Sequence, residues 1–180
     1  MFEKEQVRGL TAAKILIYAA ISFVLAVFQS TVGARIGFFG ATPQLTLALT
    51  CAAGCFYGAP TGAVVGLLSG LFTDAVGSAG IPLLALFYAV FGYFLGLYTA
   101  DKRQTRAGLG IWSIALAATV GVGVFITLLC LLVNAGKANI VFAVLNIALP
   151  EALNTYIFGW MIGVFHLFVY RVNEKNKKQQ

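Results

Sequence analysis

Charge is what this sequence has least of. Only 10% of its 180 residues are Asp, Glu, Lys or Arg, while 60% are hydrophobic; soluble domains carry roughly 25% charged residues. So short a chain has no interior able to hide that much apolar surface, which excludes an ordinary soluble domain and predicts an integral membrane protein. Histidine is reduced to a single residue, His166. With no G-x-S-x-G, no H-E-x-x-H and no glycine-rich phosphate loop, neither a serine nor a metal mechanism assembles; no catalytic residue, metal or cofactor is expected. Asp74 and Glu151 are the remaining acid and base pair, and they have no nucleophile beside them. Cys51, Cys55 and Cys130 fall inside apolar runs and read as small packing thiols, because a zinc site needs four ligands. The four prolines are scattered, so no linker divides the chain, and residues 1–180 read as one domain.

What the chain has in abundance is long apolar runs. Six stand out, at roughly 15–32, 43–57, 61–76, 81–99, 111–133 and 151–170, near the 17 to 25 residues of a membrane-crossing helix. The first is too long for a signal-peptide core and is read as a span. Residues 43–76 taken as one helix would reach about 50 Å against a ~30 Å hydrocarbon core. "YGAP" with Pro60 therefore predicts a tight helical hairpin. Pro150 suits the first position of a helix, with Glu151 favoured beside it, so the last span starts there and residues 139–149 form an interfacial or re-entrant segment. The expected fold is an all-α six-helix transmembrane bundle.

Basic residues orient this bundle. Lys4, Arg8, Lys14, Lys102, Arg103, Arg106, Arg171, Lys175, Lys177 and Lys178 share one side, leaving Arg35 and Lys137 on the other. The positive-inside rule then places both termini in the cytoplasm. The net charge of +6 is a topology signal that favours anionic lipids at the cytoplasmic face. Nucleic-acid binding is not expected, because the charges form short juxtamembrane clusters.

Twenty glycines are not scattered at random. Gly54, Gly58, Gly62, Gly66 and Gly70 keep a strict period of four, and Gly92 with Gly96 and Gly159 with Gly163 repeat the spacing. Helices in a bilayer associate by close backbone packing, which small residues at this spacing permit. Each such face packs inside the bundle or receives a partner's helix; Val65 lies on another face. Polar residues at membrane depth are the other signal. Arg35, Asp74, Lys137, Glu151 and Asn154 gather near the outer ends of their spans, with Gln29, Gln44, Asn134 and Asn146 in the same region. An ion pair of Asp74 with Arg35, a small polar pocket, or simple headgroup-level residence are the readings. His166, near the cytoplasmic end of the last span, reads as an interface residue.

The order "TPQLTLAL", "YGAPTGAVVGLLSGLFTDAVGSAGIPLLAL", "VFGYFLG" and "LPEALNTYIFG" resembles the rod shape-determining protein MreD family. Pro43, Gly58, Gly62, Gly66, Gly70, Leu71, Asp74, Gly80, Gly92 and Pro150 fill that family's pattern, and Gln44 stands where the pattern has an acid. The resemblance covers residues 43–100 best. It implies a non-catalytic, multi-pass scaffold of the bacterial cytoplasmic membrane, with a fold like the S components of energy-coupling-factor transporters. It also implies binding to the single-span protein MreC and coupling of MreB filaments to the peptidoglycan polymerase RodA and its transpeptidase partner. The alternative is a substrate-binding S component of a vitamin transporter. In that reading Ser22, Ala26 and Ser30 only imitate the family's Ala-x-x-x-Ala docking motif.

Overall fold

The computed structural model describes residues 12–36, 41–77, 83–99, 109–134, 142 and 144–178, and every regular element among them is helical. Helix α1 (Ala12–Phe28) continues through a π-helical turn, Gln29–Gly33, into a last turn, Ala34–Ile36. Then come α2 (Leu45–Tyr57), α3 (Ala59–Gly77), α4 (Leu83–Tyr98) and α5 (Leu109–Asn134). A second π-helical turn, Val144–Ala148, runs directly into α6 (Leu149–Lys178). Two stretches, Ile15–Gly33 and Ala59–Gly77, are long and apolar enough to cross a membrane; Leu45–Tyr57, Leu83–Tyr98 and Ile114–Leu129 are apolar but shorter.

The hairpin expected at "YGAP" is present. Gly58 separates α2 from α3 with φ at 100°, a conformation that a side chain would strain. The helical hydrogen bonding runs across it all the same: the Gly58 N–H donates to the Gly54 carbonyl (3.0 Å) and the Gly62 N–H to the Gly58 carbonyl (2.9 Å). Pro60 falls in the first turn of α3, where a missing N–H costs nothing. The last helix begins at Leu149, beside Pro150 as its sequence predicts. Of the segment expected to be interfacial, residues 139–141 and 143 lie outside the described residues. Its Val144–Ala148 part is continuous with α6 and packs against α5 and α6.

Helix α2 sits at the centre. Leu45 through Cys55 are all buried, enclosed by α1, α3, α4, α5 and α6. Its Leu47, Ala48, Cys51, Ala52 and Cys55 form the main core with Tyr88 of α4 and Ile114, Ala118 and Val122 of α5. Cys51 and Cys55 are free thiols within that core, as their apolar context predicts.

The tightest contact is between α3 and α4. A Cβ on Gly62 would fall 2.8 Å from the Gly92 carbonyl carbon, one on Gly66 2.6 Å from the Tyr88 carbonyl carbon, and one on Gly70 would strike the Ala85 backbone. Farther along, a Cβ on Gly96 would fall 2.7 Å from the Gly58 carbonyl carbon. The helices therefore run antiparallel, with glycine face against backbone. On α2, Gly54 joins the same seam, its absent Cβ 2.8 Å from the Gly92 carbonyl oxygen. Gly159 meets Ala115 and Ala48 more loosely, at 3.4 and 3.6 Å, and Gly163 is buried. The glycine faces are thus filled by the chain's own helices, and none of these seams is left open as a groove for a foreign helix. Bulk is excluded there because the neighbouring atoms are backbone and have no rotamer by which to move aside.

Beside the apolar core, small polar side chains are buried while many large apolar ones face outward. Ser22, Thr46, Thr50, Ser69, Asn154 and Thr155 are at most 1% exposed, while Leu16 is 71%, Leu86 66%, Val24 63% and Phe94 63% exposed. Ser22 bonds Ser69 across the α1–α3 contact at 2.9 Å. Val65, expected to lie off the packed faces, is fully buried with Tyr18, Leu49 and Ala53; its neighbour Val64 is 37% exposed.

Gly66→Leu and Gly70→Leu should each lower the stability of the detergent-purified chain by at least about 1–3 kcal/mol, the usual cost of overpacking. Val64→Leu should change it by less than about 0.5 kcal/mol. Thermal unfolding followed by circular dichroism checks this ordering, and equal midpoints for all three variants would remove the backbone-contact account.

Candidate functional site

Helices α2 and α4 begin at the same end of the molecule, and neither starts with a good local cap. Gln44 precedes α2 and makes no side-chain bond to that helix's first turn, and Pro82 precedes α4. The free N–H groups of a helix start need partners, most of all where water is excluded. Here they are supplied from other helices. The Gln29 side chain, carried by the π-helical turn of α1, accepts from the Leu45 N–H (2.9 Å) and the Thr46 N–H (3.4 Å). Thr155 Oγ1 of α6 accepts from the Gln44 N–H at 2.9 Å. At the start of α4, Asp74 Oδ2 accepts from the Ala85 N–H (3.0 Å) and Oδ1 from the Leu84 N–H (3.4 Å). A carboxylate suits that position because the helix dipole is positive there.

From the Gln29 cap a directional chain of hydrogen bonds crosses the molecule. Gln29 Nε2 donates to Gln44 Oε1 at 2.7 Å, which also accepts from the Tyr88 hydroxyl at 3.0 Å. Gln44 Nε2 in turn donates to Glu151 Oε1. Thr46 Oγ1 reaches Gln29 Oε1 at 3.3 Å and lies 3.0 Å from Thr73 Oγ1. Asn154 Nδ2 donates to the Ala41 carbonyl at 2.8 Å, pinning the segment that leads into α2. The network joins α1, α2, α3, α4 and α6. Gln29, Tyr88, Asn154 and Thr155 are buried, and Gln44 and Glu151 half-buried.

This arrangement bears on the five residues singled out as an outer polar cluster. Glu151 and Asn154 belong to the network, and Asp74 is buried at 8% exposure at the same end. Arg35 is exposed on the last turn of α1, and Lys137 lies outside the described residues. The ion pair expected between Asp74 and Arg35 is therefore corrected: Asp74 spends both oxygens on the backbone of α4. Sequence reasoning placed Gln29 and Gln44 in this region but missed Thr46, Thr73, Tyr88 and Thr155. Thr155 had a readable signal, since Glu151, Asn154 and Thr155 stand at i, i+3 and i+4 on one helix face. Gln44 also gains a physical reason: an acid in its place would set a second carboxyl group against Glu151.

A second polar contact closes the opposite end. His166 Nε2 lies 2.6 Å from the Tyr18 hydroxyl, linking α6 to α1. The imidazole stacks on Phe56 with centroids 5.9 Å apart and meets the edge of Tyr57 at 6.1 Å. At 5% exposure it is enclosed among three helices.

Chemically, the network fixes helix starts and helix register. Among the described residues no three His, Cys, Asp or Glu side chains come together as a metal site. No protein family, curated protein or solved structure matches the chain.

Asp74→Ala should destabilise the chain by about 0.5–2 kcal/mol, the range for a lost helix cap, while Arg35→Ala leaves the unfolding midpoint unchanged. Equal loss from both would restore the ion pair. In the network, Gln44→Glu should lower the midpoint at neutral pH by placing two carboxyl groups in contact, and the added change Glu151→Gln should recover most of the loss. Thermal unfolding of the single and double variants reads the coupling.

Proposed function

We propose that this chain is a non-catalytic membrane scaffold of the kind represented by the MreD family. In this reading it is a six-helix transmembrane bundle in the bacterial cytoplasmic membrane with both termini in the cytoplasm. It binds an MreC-like single-span protein and helps couple MreB filaments to peptidoglycan synthesis by RodA and its transpeptidase partner. The observation that carries the reading is the behaviour of the glycine and aspartate motif as one device. Gly62, Gly66, Gly70 and Asp74 share one face of α3; the glycines admit the backbone of α4 and the aspartate caps its start. A motif used in this way is architectural, which suits a scaffold better than an enzyme.

The membrane reading draws support from the outward surface, where many leucines, valines and phenylalanines are exposed, and from the serines, threonines and asparagine buried beside the apolar core. Water would penalise that outer surface, whereas lipid tails accept it. With the glycine faces filled internally, a partner helix is left the outward apolar faces, such as that of Leu16, Phe23 and Val24 on α1.

The polar network gives the transporter reading its one favourable observation, since S components bind their ligands toward the outer face. Against it, Ser22 and Ala26 of the imitated docking motif are buried against the chain's own helices and only Ser30 is exposed. No docking stripe faces outward there.

In a rod-shaped host deleted for its own scaffold, the wild-type chain should restore rod shape and co-purify with a tagged MreC-like protein. Gly66→Leu should do neither, although it still inserts into the membrane. Normal shape and yield with that variant would sink the scaffold reading. Orientation has its own check, in a background lacking Cys51, Cys55 and Cys130. A cysteine beside Lys102 should react only with cytoplasmic reagent and one beside Lys137 only with external reagent.

A further inference from the structure

Of the outward faces left to a partner helix, the one between α1 and α6 combines a recess with a charge. The two helices are clasped at both ends, by Tyr18 with His166 at one and by the Gln29–Gln44–Glu151 chain at the other. Between the clasps lies a cleft of about 240 Å³, lined by Ile21 and Leu25 of α1, Met161, Ile162 and Phe165 of α6, and Leu49 of α2, with His166 beside them. Met161 and Phe165 are 58% and 60% exposed, so the cleft reaches the surface of the bundle. An apolar cavity of about 150 Å³ already admits a benzene ring. This one has room for a bulky apolar side chain from outside.

The charge stands on the same side of α6. Glu151, Asn154, Phe158, Ile162 and Phe165 follow one another at steps of three, four, four and three residues, which keeps them on one stripe of the helix. Glu151 is held toward α1, because it accepts from Gln44, which is itself bonded by Gln29 of α1. It is half-buried, its hydrogen bond comes from a neutral amide, and no basic side chain among the described residues pairs with it. A carboxylate offers about four acceptor sites, so most of its capacity is unused. An uncompensated charge at membrane depth is expensive. From Ile162 in the cleft to Glu151 is about 16 Å along the helix axis.

Charge selects the occupant. A phospholipid would bring the phosphate of its headgroup against Glu151, whereas a helix can bring a lone cation. We propose that the α1–α6 face docks a single transmembrane helix, which sets a bulky apolar side chain in the cleft and, about three turns nearer the outer surface, a lysine or arginine against Glu151. The inference rests on the membrane orientation and the single-span partner proposed above, and gives that contact its surface and its chemistry.

The test is a double-mutant cycle on the complex of the full chain with a tagged MreC-like protein. Glu151→Gln keeps an acceptor for Gln44 but removes the charge, so it should weaken binding about tenfold or more without lowering the unfolding midpoint of the free chain. Neutralising the basic residue at the outer end of the partner's span should cost as much, and both changes together no more than either alone. Ile21→Trp, which fills the cleft, should also weaken binding. A photo-reactive side chain at Phe165 should capture the partner, and one at Leu86, on the outward face of α4, should not. With the wild-type complex intact, four outcomes overturn this site and leave the scaffold reading standing: undiminished binding by Glu151→Gln, additive losses in the cycle, capture of the partner through Leu86 alone, or capture of a lipid in place of the partner at Phe165. Failure of the wild-type chain to bind the partner would overturn both.

Discussion

Everything else in this molecule is arranged around the approach of α4 to α3 at backbone contact. Without Cβ atoms on Gly62, Gly66 and Gly70, the two helices close until carbonyl groups of one touch the main chain of the other. Dispersion falls off steeply with separation, so this closeness is itself a source of cohesion, and in the lipid setting proposed above it would be the main one between helices. The geometry has a further consequence at the end of the seam. Asp74, the next residue in the period of four, arrives within reach of the first N–H groups of α4 only because the helices are so close. A wider seam would leave that carboxylate and those donors without each other.

The same economy governs α2, which has almost no surface of its own. A short helix enclosed on every side cannot take caps from water, and its start is served by Gln29 from before it and Thr155 from far beyond it in the chain. A buried hydrogen bond contributes only about 1 kcal/mol net, but leaving one unmade costs more. The network therefore acts chiefly against misregistered packings: sliding α1 or α6 by one residue would strand several polar atoms at once. The π-helical turn at Gln29 fits this role, since such turns re-aim side chains and recur at functional sites.

Under the scaffold reading proposed above, these features have a common sense. Rigidity comes from inside, through glycine seams and polar clasps, and leaves the outer faces free to meet lipid or another helix. The two clasps joining α1 to α6 also bound the apolar cleft lined by Ile21, Leu25, Ile162 and Phe165, so the same bonds that hold the bundle shape that cleft.

Much of this was legible along the chain, and the reasons are physical. Six apolar runs, the break at Gly58 and Pro60 and the start of α6 at Pro150 follow from local chemistry: hydropathy, backbone freedom and a missing N–H. The period of four announced close packing because a helix brings every fourth residue to nearly the same face. What the period does not contain is the identity of the opposing surface, and only the tertiary structure decided that Gly66 meets Tyr88 and Gly70 meets Ala85. The partner of Asp74 was likewise hidden, since opposite charge pointed to Arg35 while the nearest positive group is the uncharged start of a helix, visible only once α4 is in place. Val65 looked free because pattern marks one face at a time, and a helix in a bundle has several packed faces. Tyr18 and His166 are separated by nearly the whole chain; no local rule pairs residues so far apart, and only the packing of α1 and α6 on α2 could bring them together.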